Sequence, residues 1–235
     1  MVILRLSMPE SNNQKFNHLK IHTQYSICEG AIKIDNLKDF CKERKIQSIG
    51  LSDTSNLCGA LEFAENISKV GTQPIIGTQI NFKFEDTIGL IPLIALNGDG
   101  YKRIIELSSR SYLENDALSD PHCDISELYK NGKGVAILSG SVQGFFGKLF
   151  NKGRFSEIHK IYQKILSNFN NRFYLEIQRH GDKNEMSFEM YNLKQSSKLQ
   201  IPIIATHEVF YLNQEMHEAH DALTCIGSKT YVSEK

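Results

Sequence analysis

The chain has 235 residues, 40% of them apolar, with 27 basic and 27 acidic side chains and a pI near 7.1. That is enough apolar material for one large core, and the balanced charge excludes a free-standing nucleic-acid binder, which needs a basic surface to meet phosphates. The apolar runs fall short of the roughly 20 residues of a membrane-spanning helix, and "MVILRL" is too short for a signal sequence, so no membrane association is expected.

Taken in chain order, residues 1–15 read as a flexible lead-in and 16–235 as a single domain, since no linker composition divides them. Apolar, β-rich runs follow at 18–22, 48–52, 74–82, 91–96, 134–139, 172–178 and 202–206, seven predicted strands alternating with helical patterns. Alternation of this kind points to βα units around a parallel sheet, and seven strands suit a TIM-like barrel of the α/β class. A helix is expected over 36–45, capped by Asp35, with Leu37, Phe40 and Cys41 inward. The clearest helical stripe is 155–169, where Phe155, Ile158, Ile161, Tyr162, Ile165, Leu166 and Phe169 share a face. Asn213 is positioned to cap a last helix that Gly227 would end. The sequence then stops at "IGSKTYVSEK" without a closing element, which reads as the N-terminal fragment of a longer chain.

Five cysteines (Cys28, Cys41, Cys58, Cys123, Cys225) are odd in number and lack CxxC spacing, which argues against a disulfide framework or zinc ribbon and for a reducing cytoplasm. Polar residues close the apolar strands at Ile21–His22, Ser52–Asp53, Ser139–Ser141 and Thr206–Glu208. In a βα barrel such strand ends converge on one face, so these groups are expected to share a cleft. Within "HLKIH", His18, Lys20 and His22 alternate onto one face as metal ligands would, but the middle one is a lysine.

Several other features carry less. "GSVQGFFGKL" lacks the glycine and the Ser/Thr of a phosphate loop and reads as a strand-to-helix turn. "HEAH" at 217–220 has i, i+3 histidines, not the i, i+4 pair of a zinc site, and reads as a helix surface. Cys28 reads as a packed thiol, and Tyr25, Phe145, Phe146 and Tyr211 as core aromatics in place of base-stacking platforms.

From Phe16 to about Ile226 the blocks "HLKIHTQYSICEGA", "IGLSDTSNLCGALEFA", "PIIGTQINF", "GVAILSGSVQG", "RFYLEIQRHG" and "IIATHEVFYLNQEMHEAHDAL" occur in the order of a known family. The chain resembles the polymerase and histidinol phosphatase (PHP) domain, and more narrowly the one that begins the α subunit of bacterial replicative DNA polymerase III. The resemblance implies a distorted seven-stranded (β/α)7 barrel. It also implies a multinuclear metal centre for phosphoester hydrolysis, in which bound metals lower the pKa of water and clamp phosphoryl oxygens.

Carried over position by position, that centre is depleted here. Lys20 stands at a ligand histidine and has no lone pair while protonated, Thr54 has lost an imidazole, and Gln79 is a neutral amide. Leu90, Ser141 and Phe210 fall on further ligand positions, whereas His22, Glu29, Asp53 and Glu208 keep ligand chemistry; His18 lies outside the family's pair. No catalytic residue is therefore expected in this domain, and at most one weakly held divalent ion. The resemblance further implies that the parent subunit is a magnesium-dependent DNA-directed DNA polymerase whose carboxylates lie downstream. DNA would be met through that parent, and the domain would act as a scaffold that docks a separate proofreading exonuclease subunit in DNA replication. The alternative reading is a working metal-dependent phosphoesterase or 3′–5′ exonuclease, and a blander one is a free-standing barrel related by ancestry alone.

Overall fold

The computed structural model describes residues 16–234 except 117 and 131, so the expected lead-in 1–15 lies outside the described residues. The strands are β1 (Lys20–Ile21), β2 (Ser48–Thr54), β3 (Gln73–Phe84), β4 (Thr87–Ala95), β5 (Cys123–Asp124), β6 (Val135–Leu138), β7 (Phe173–Ile177), β8 (Ile203–Ala205) and β9 (Glu208–Val209). The α-helices are α1 (Ile34–Arg44), α2 (Ala60–Lys69), α3 (Gly98–Leu113), α4 (Ile125–Leu128), α5 (Phe145–Asn151), α6 (Phe155–Phe169), α7 (Glu185–Leu199) and α8 (His217–Ser228).

Along the sheet the strand order is β8-β7-β6-β4-β3-β2-β1-β9, with β5 off the path beside β3. Its two ends are consecutive in the chain: β8 pairs with β7, β9 pairs with β1, and only Thr206 and His207 separate them. One interrupted strand thus bridges the ends, and counted that way seven strands run around the barrel, in register with the seven expected runs. The α/β barrel holds, with one correction. Neighbouring strands are parallel except β4, which is antiparallel to both β3 and β6. β3 and β4 form a hairpin across Glu85 and Asp86, Glu85 taking the left-handed φ of 53° that a two-residue turn demands.

The larger core lies where α3, α5 and α6 cover β3, β4, β6 and β7. There Phe82, Ile91, Leu93, Phe146, Tyr162 and Phe173 are completely enclosed. Each such side chain contributes about 1.5–3 kcal/mol through loss of apolar surface from water. On α6 the stripe lands as expected for Ile158, Ile161, Tyr162, Ile165 and Phe169, while Phe155 is 47% exposed and leans edge-on against Phe150 at 5.4 Å. Phe145 and Phe146 are core residues, as read from the sequence. A second cluster of Ile21, Leu37, Ile49, Leu51, Phe63 and Ile67 joins β1 and β2 to α1 and α2.

Helix boundaries differ from expectation in two places. Helix α1 begins at Ile34, so Asp35 lies inside the first turn, where it accepts from Lys38 at 3.0 Å and caps nothing. Phe40 is only half-buried, under the Arg44 guanidinium. Asn213 does cap, accepting from Met216 N at the 3-10 turn that enters α8. Gly227 lies inside α8, packed so closely that an added Cβ would press on Cys28 Cβ at 2.6 Å, and the helix ends instead on Lys229 in the left-handed region.

The loop after β1 is held by a similarly close approach. At Gly30 an added Cβ would fall against the Thr23 carbonyl oxygen and 2.8 Å from that of His22. Gly30→Ala is therefore expected to lower unfolding stability by about 2–4 kcal/mol, measured by urea titration; an unchanged midpoint would show that this loop gives way freely.

Candidate functional site

The register brings Lys20 and Glu208 side by side as paired residues of β1 and β9, and Thr54 opposite Gln79 on β2 and β3. Lys20 is fully enclosed, and its ammonium contacts Glu208 Oε1 and, at 3.3 Å, Glu176 Oε1. Burial alone would push the Lys20 pKa down, but the Glu176 and Glu208 charges outweigh it and hold it above the usual lysine value. Burial would likewise raise Glu208, yet Lys20 and the His22 hydrogen bond hold its carboxyl at about 2.

Around this pair the polar groups are satisfied by one another. His22 Nε2 lies 2.6 Å from Glu208 Oε2, which also accepts from Gln79 Nε2 at 3.0 Å. With Glu208 ionised, the His22 contact requires the imidazole proton on Nε2. Asp53 is enclosed and accepts from Thr23 N, Thr23 Oγ1 and Ser26 Oγ at 2.6–2.8 Å. Glu29 accepts from Thr54 Oγ1 at 2.5 Å. Phe210 stacks on His22 with ring centres 4.3 Å apart and on His220 at 5.7 Å.

Above the ion pair opens a cleft of about 640 Å³. Of the positions expected to share a site, His22, Glu29, Thr54, Gln79, Leu90, Ser141, Glu208 and Phe210 all line it. Lys20 and Asp53 lie beneath, outside its lining. His18 stands apart and half-buried, its pKa lowered by burial and by His207, with Nδ1 lacking a partner among the described residues. Among the described residues no three His, Cys, Asp or Glu side chains are grouped so as to hold a metal ion.

Three features of the site were not anticipated. Glu176, 2% exposed on β7, accepts from Gly140 N and Thr206 Oγ1 at 2.5 Å as well as pairing with Lys20. The signal was a carboxylate inside the apolar run "RFYLEIQ", where a strand tolerates charge only against a partner. His220 is not free helix surface: its Nε2 lies 2.7 Å from the Glu29 carbonyl oxygen and it lines the cleft. His180 and His207 stack at 4.2 Å and both line the cleft. Cys28 is half-buried against Gly227, and all five cysteines are unpaired.

A strand-closed α/β barrel with a polar cleft at its strand ends matches a described family: residues 18–180 fit the PHP domain, and the chain belongs to that family. It is homologous to DNA polymerase III α subunits. The α subunit of Caulobacter vibrioides is 32% identical over 240 residues, covering 97% of this chain and 21% of that protein. That of Rickettsia felis is 34% identical over 215 residues, covering 91% and 18%. The Vibrio cholerae subunit is 30% identical, covering 92% and 19%. The chain therefore spans about a fifth of the length of these curated relatives.

Among solved structures, a putative metal-dependent phosphoesterase from Bifidobacterium adolescentis superposes with a TM-score of 0.57 at 11% identity, covering 88% of this chain and 96% of that one. An amidohydrolase from Chromobacterium violaceum gives 0.56 at 9% identity with the same coverage. At these identities the likeness is one of fold. No helix among the described residues is long and apolar enough to cross a membrane.

Removing the buried ammonium leaves two carboxylates without a counter-charge. Lys20→Met is expected to lower stability by about 3–5 kcal/mol, and adding Glu176→Gln and Glu208→Gln should recover part of it. Because the folded-state pKa of Glu208 is depressed to about 2, its contribution is present above the ordinary glutamate range and is lost as pH falls from there through 2. Urea unfolding of the parent and of Lys20→Met between pH 5 and pH 2 checks both; equal pH slopes in the two proteins would remove Lys20 as the cause.

Proposed function

We propose that this chain is the PHP domain of a replicative DNA polymerase III α subunit in which the metal centre has decayed, leaving a non-hydrolytic scaffold. The observation that carries the reading is Lys20, whose ammonium lies against Glu176 and Glu208 at a position where the family resemblance places a ligand histidine. The donor set does not fit a multinuclear centre. An ammonium offers no lone pair, and Gln79 turns its Nε2 toward Glu208 and His22. Leu90 and Phe210 offer no donor atoms at all. The surviving acids are satisfied by the protein's own donors, Asp53 by Thr23 and Ser26 and Glu29 by Thr54. No hydrolytic step is therefore assigned to the cleft.

What remains is a stable barrel with an external surface. The resemblance to α subunits supports two roles for it, as the platform of a magnesium-dependent DNA polymerase in the replicating cell and as the docking site of a proofreading exonuclease subunit. DNA would be contacted through the parent chain, in keeping with the balanced charge of this one.

Elemental mass spectrometry on the purified chain, after incubation with manganese and zinc and then desalting, is expected to find less than about a tenth of an equivalent of metal. Two or more equivalents, abolished by His22→Ala with Asp53→Ala, would overturn the reading in favour of a working phosphoesterase or 3′–5′ exonuclease. Lys20→His alone is expected to confer no hydrolysis of bis(p-nitrophenyl) phosphate, since one restored imidazole leaves Gln79, Leu90 and Phe210 unchanged. The docking role is checked separately by sedimentation of the chain with the proofreading exonuclease subunit, where a mixture of independent species would refute it.

A further inference from the structure

Helix α7 meets the barrel with one face and leaves the opposite face uncovered. Its buried residues are Phe188, whose ring centre lies 5.4 Å from that of Phe150, and Asn192, which accepts from Tyr162 Oη at 3.1 Å. On the adjoining flank Tyr191 and Gln195 reach Phe155 and His159 of α6. About half a turn away from the buried pair, Met186, Met190 and Leu193 are 80%, 52% and 36% exposed. They follow one another at i, i+4 and i+7 and so form one stripe along the helix. A surface helix normally turns its apolar side chains to the core and its charges to water, and this stripe does the reverse.

The charges beside the stripe select what fits it. In heptad terms Met186 and Leu193 are d positions, Met190 and Ser197 are a positions, Glu189 is g and Lys194 is e. Acid and base therefore lie on opposite flanks of the stripe, with Lys194 in the e position that follows the Glu189 g position. That is the spacing at which g of one helix meets e of a parallel partner, so a second α7 running in the same direction brings Glu189 to Lys194 twice, once on each side of the seam. An antiparallel copy sets like flank against like and makes neither pair. The Lys194 ammonium has no partner among the described residues, while Glu189 is already oriented by Arg179 at 2.8 and 3.1 Å. The seam is short, well below the roughly 1,200–2,000 Å² of a standard interface, so association is expected at about 0.1 mM.

We propose that this chain associates with a second copy of itself through α7. The two helices run parallel about a two-fold axis, with Met186, Met190 and Leu193 in the seam and Glu189 of each copy paired to Lys194 of the other. The stripe is separate from the cleft, so this inference stands or falls apart from the metal-loss reading.

The test is sedimentation equilibrium of the chain from about 10 μM to about 1 mM, where a monomer–dimer equilibrium is expected. Met190→Glu, at an exposed position, should weaken association at least about tenfold while leaving the melting temperature of the dilute protein unchanged. Lys194→Glu should weaken it about three- to fivefold, and adding Glu189→Lys should restore it, because exchanging the two charges rebuilds the pair across a parallel seam. The contact Glu189 gives up, with the exposed Arg179, is a surface one of small cost. Ser197→Cys occupies a position that meets its own copy only between parallel helices. On oxidation with copper phenanthroline it should cross-link into a dimer beyond what the parent's own cysteines give. A monomer at every concentration, a dimer indifferent to Met190→Glu, or a double variant no better than Lys194→Glu alone would overturn the proposal. A dimer that Met190→Glu abolishes but Ser197→Cys fails to cross-link would overturn it as well, by showing that the helices are not parallel.

Discussion

The barrel depends on how its seam is closed. β8 pairs with β7 and β9 with β1, but between them the ladder is interrupted at Thr206 and His207. Lys20 spans that interruption, touching Glu176 on the β7 side and Glu208 on the β9 side. Coulomb attraction around the enclosed ammonium acts there as an additional rung, and Thr206 and Gly140 complete the shell of Glu176. The interaction is worthwhile only because every member is partnered; any one left alone would be a buried charge.

From the seam the polarity of the cleft follows. Glu208, kept ionised by Lys20, fixes the tautomer of His22 and draws in the Gln79 amide. His22 then serves as one plate of the stack that continues through Phe210 to His220 on α8. His220 reaches the Glu29 carbonyl, so the last helix is tied to the loop after the first strand by a chain of contacts that begins at one ammonium group.

Much of this architecture was legible in the sequence. The seven apolar runs could be placed because strands leave a strong hydrophobic signature, and the family blocks located the site positions that the fold then gathers around one cleft. Strand direction was not legible: side-chain alternation is the same for parallel and antiparallel neighbours, and only the two residues Glu85 and Asp86 between β3 and β4 hinted at a hairpin. Asp35 misled because a good capping residue two positions past the cap becomes an ordinary first-turn acid. Glu176 escaped because its partner is Lys20, far away in sequence, and an inward carboxylate in an apolar strand announces a partner without naming it.

A charge carried on a side chain differs from one carried on an ion in how it is supplied. Lys20 is delivered with the polypeptide, one per chain, and cannot be exchanged, chelated or mismetallated. The electrostatic closure of this barrel is therefore inherited at translation and stands at fixed stoichiometry, whatever the divalent ion supply of its surroundings.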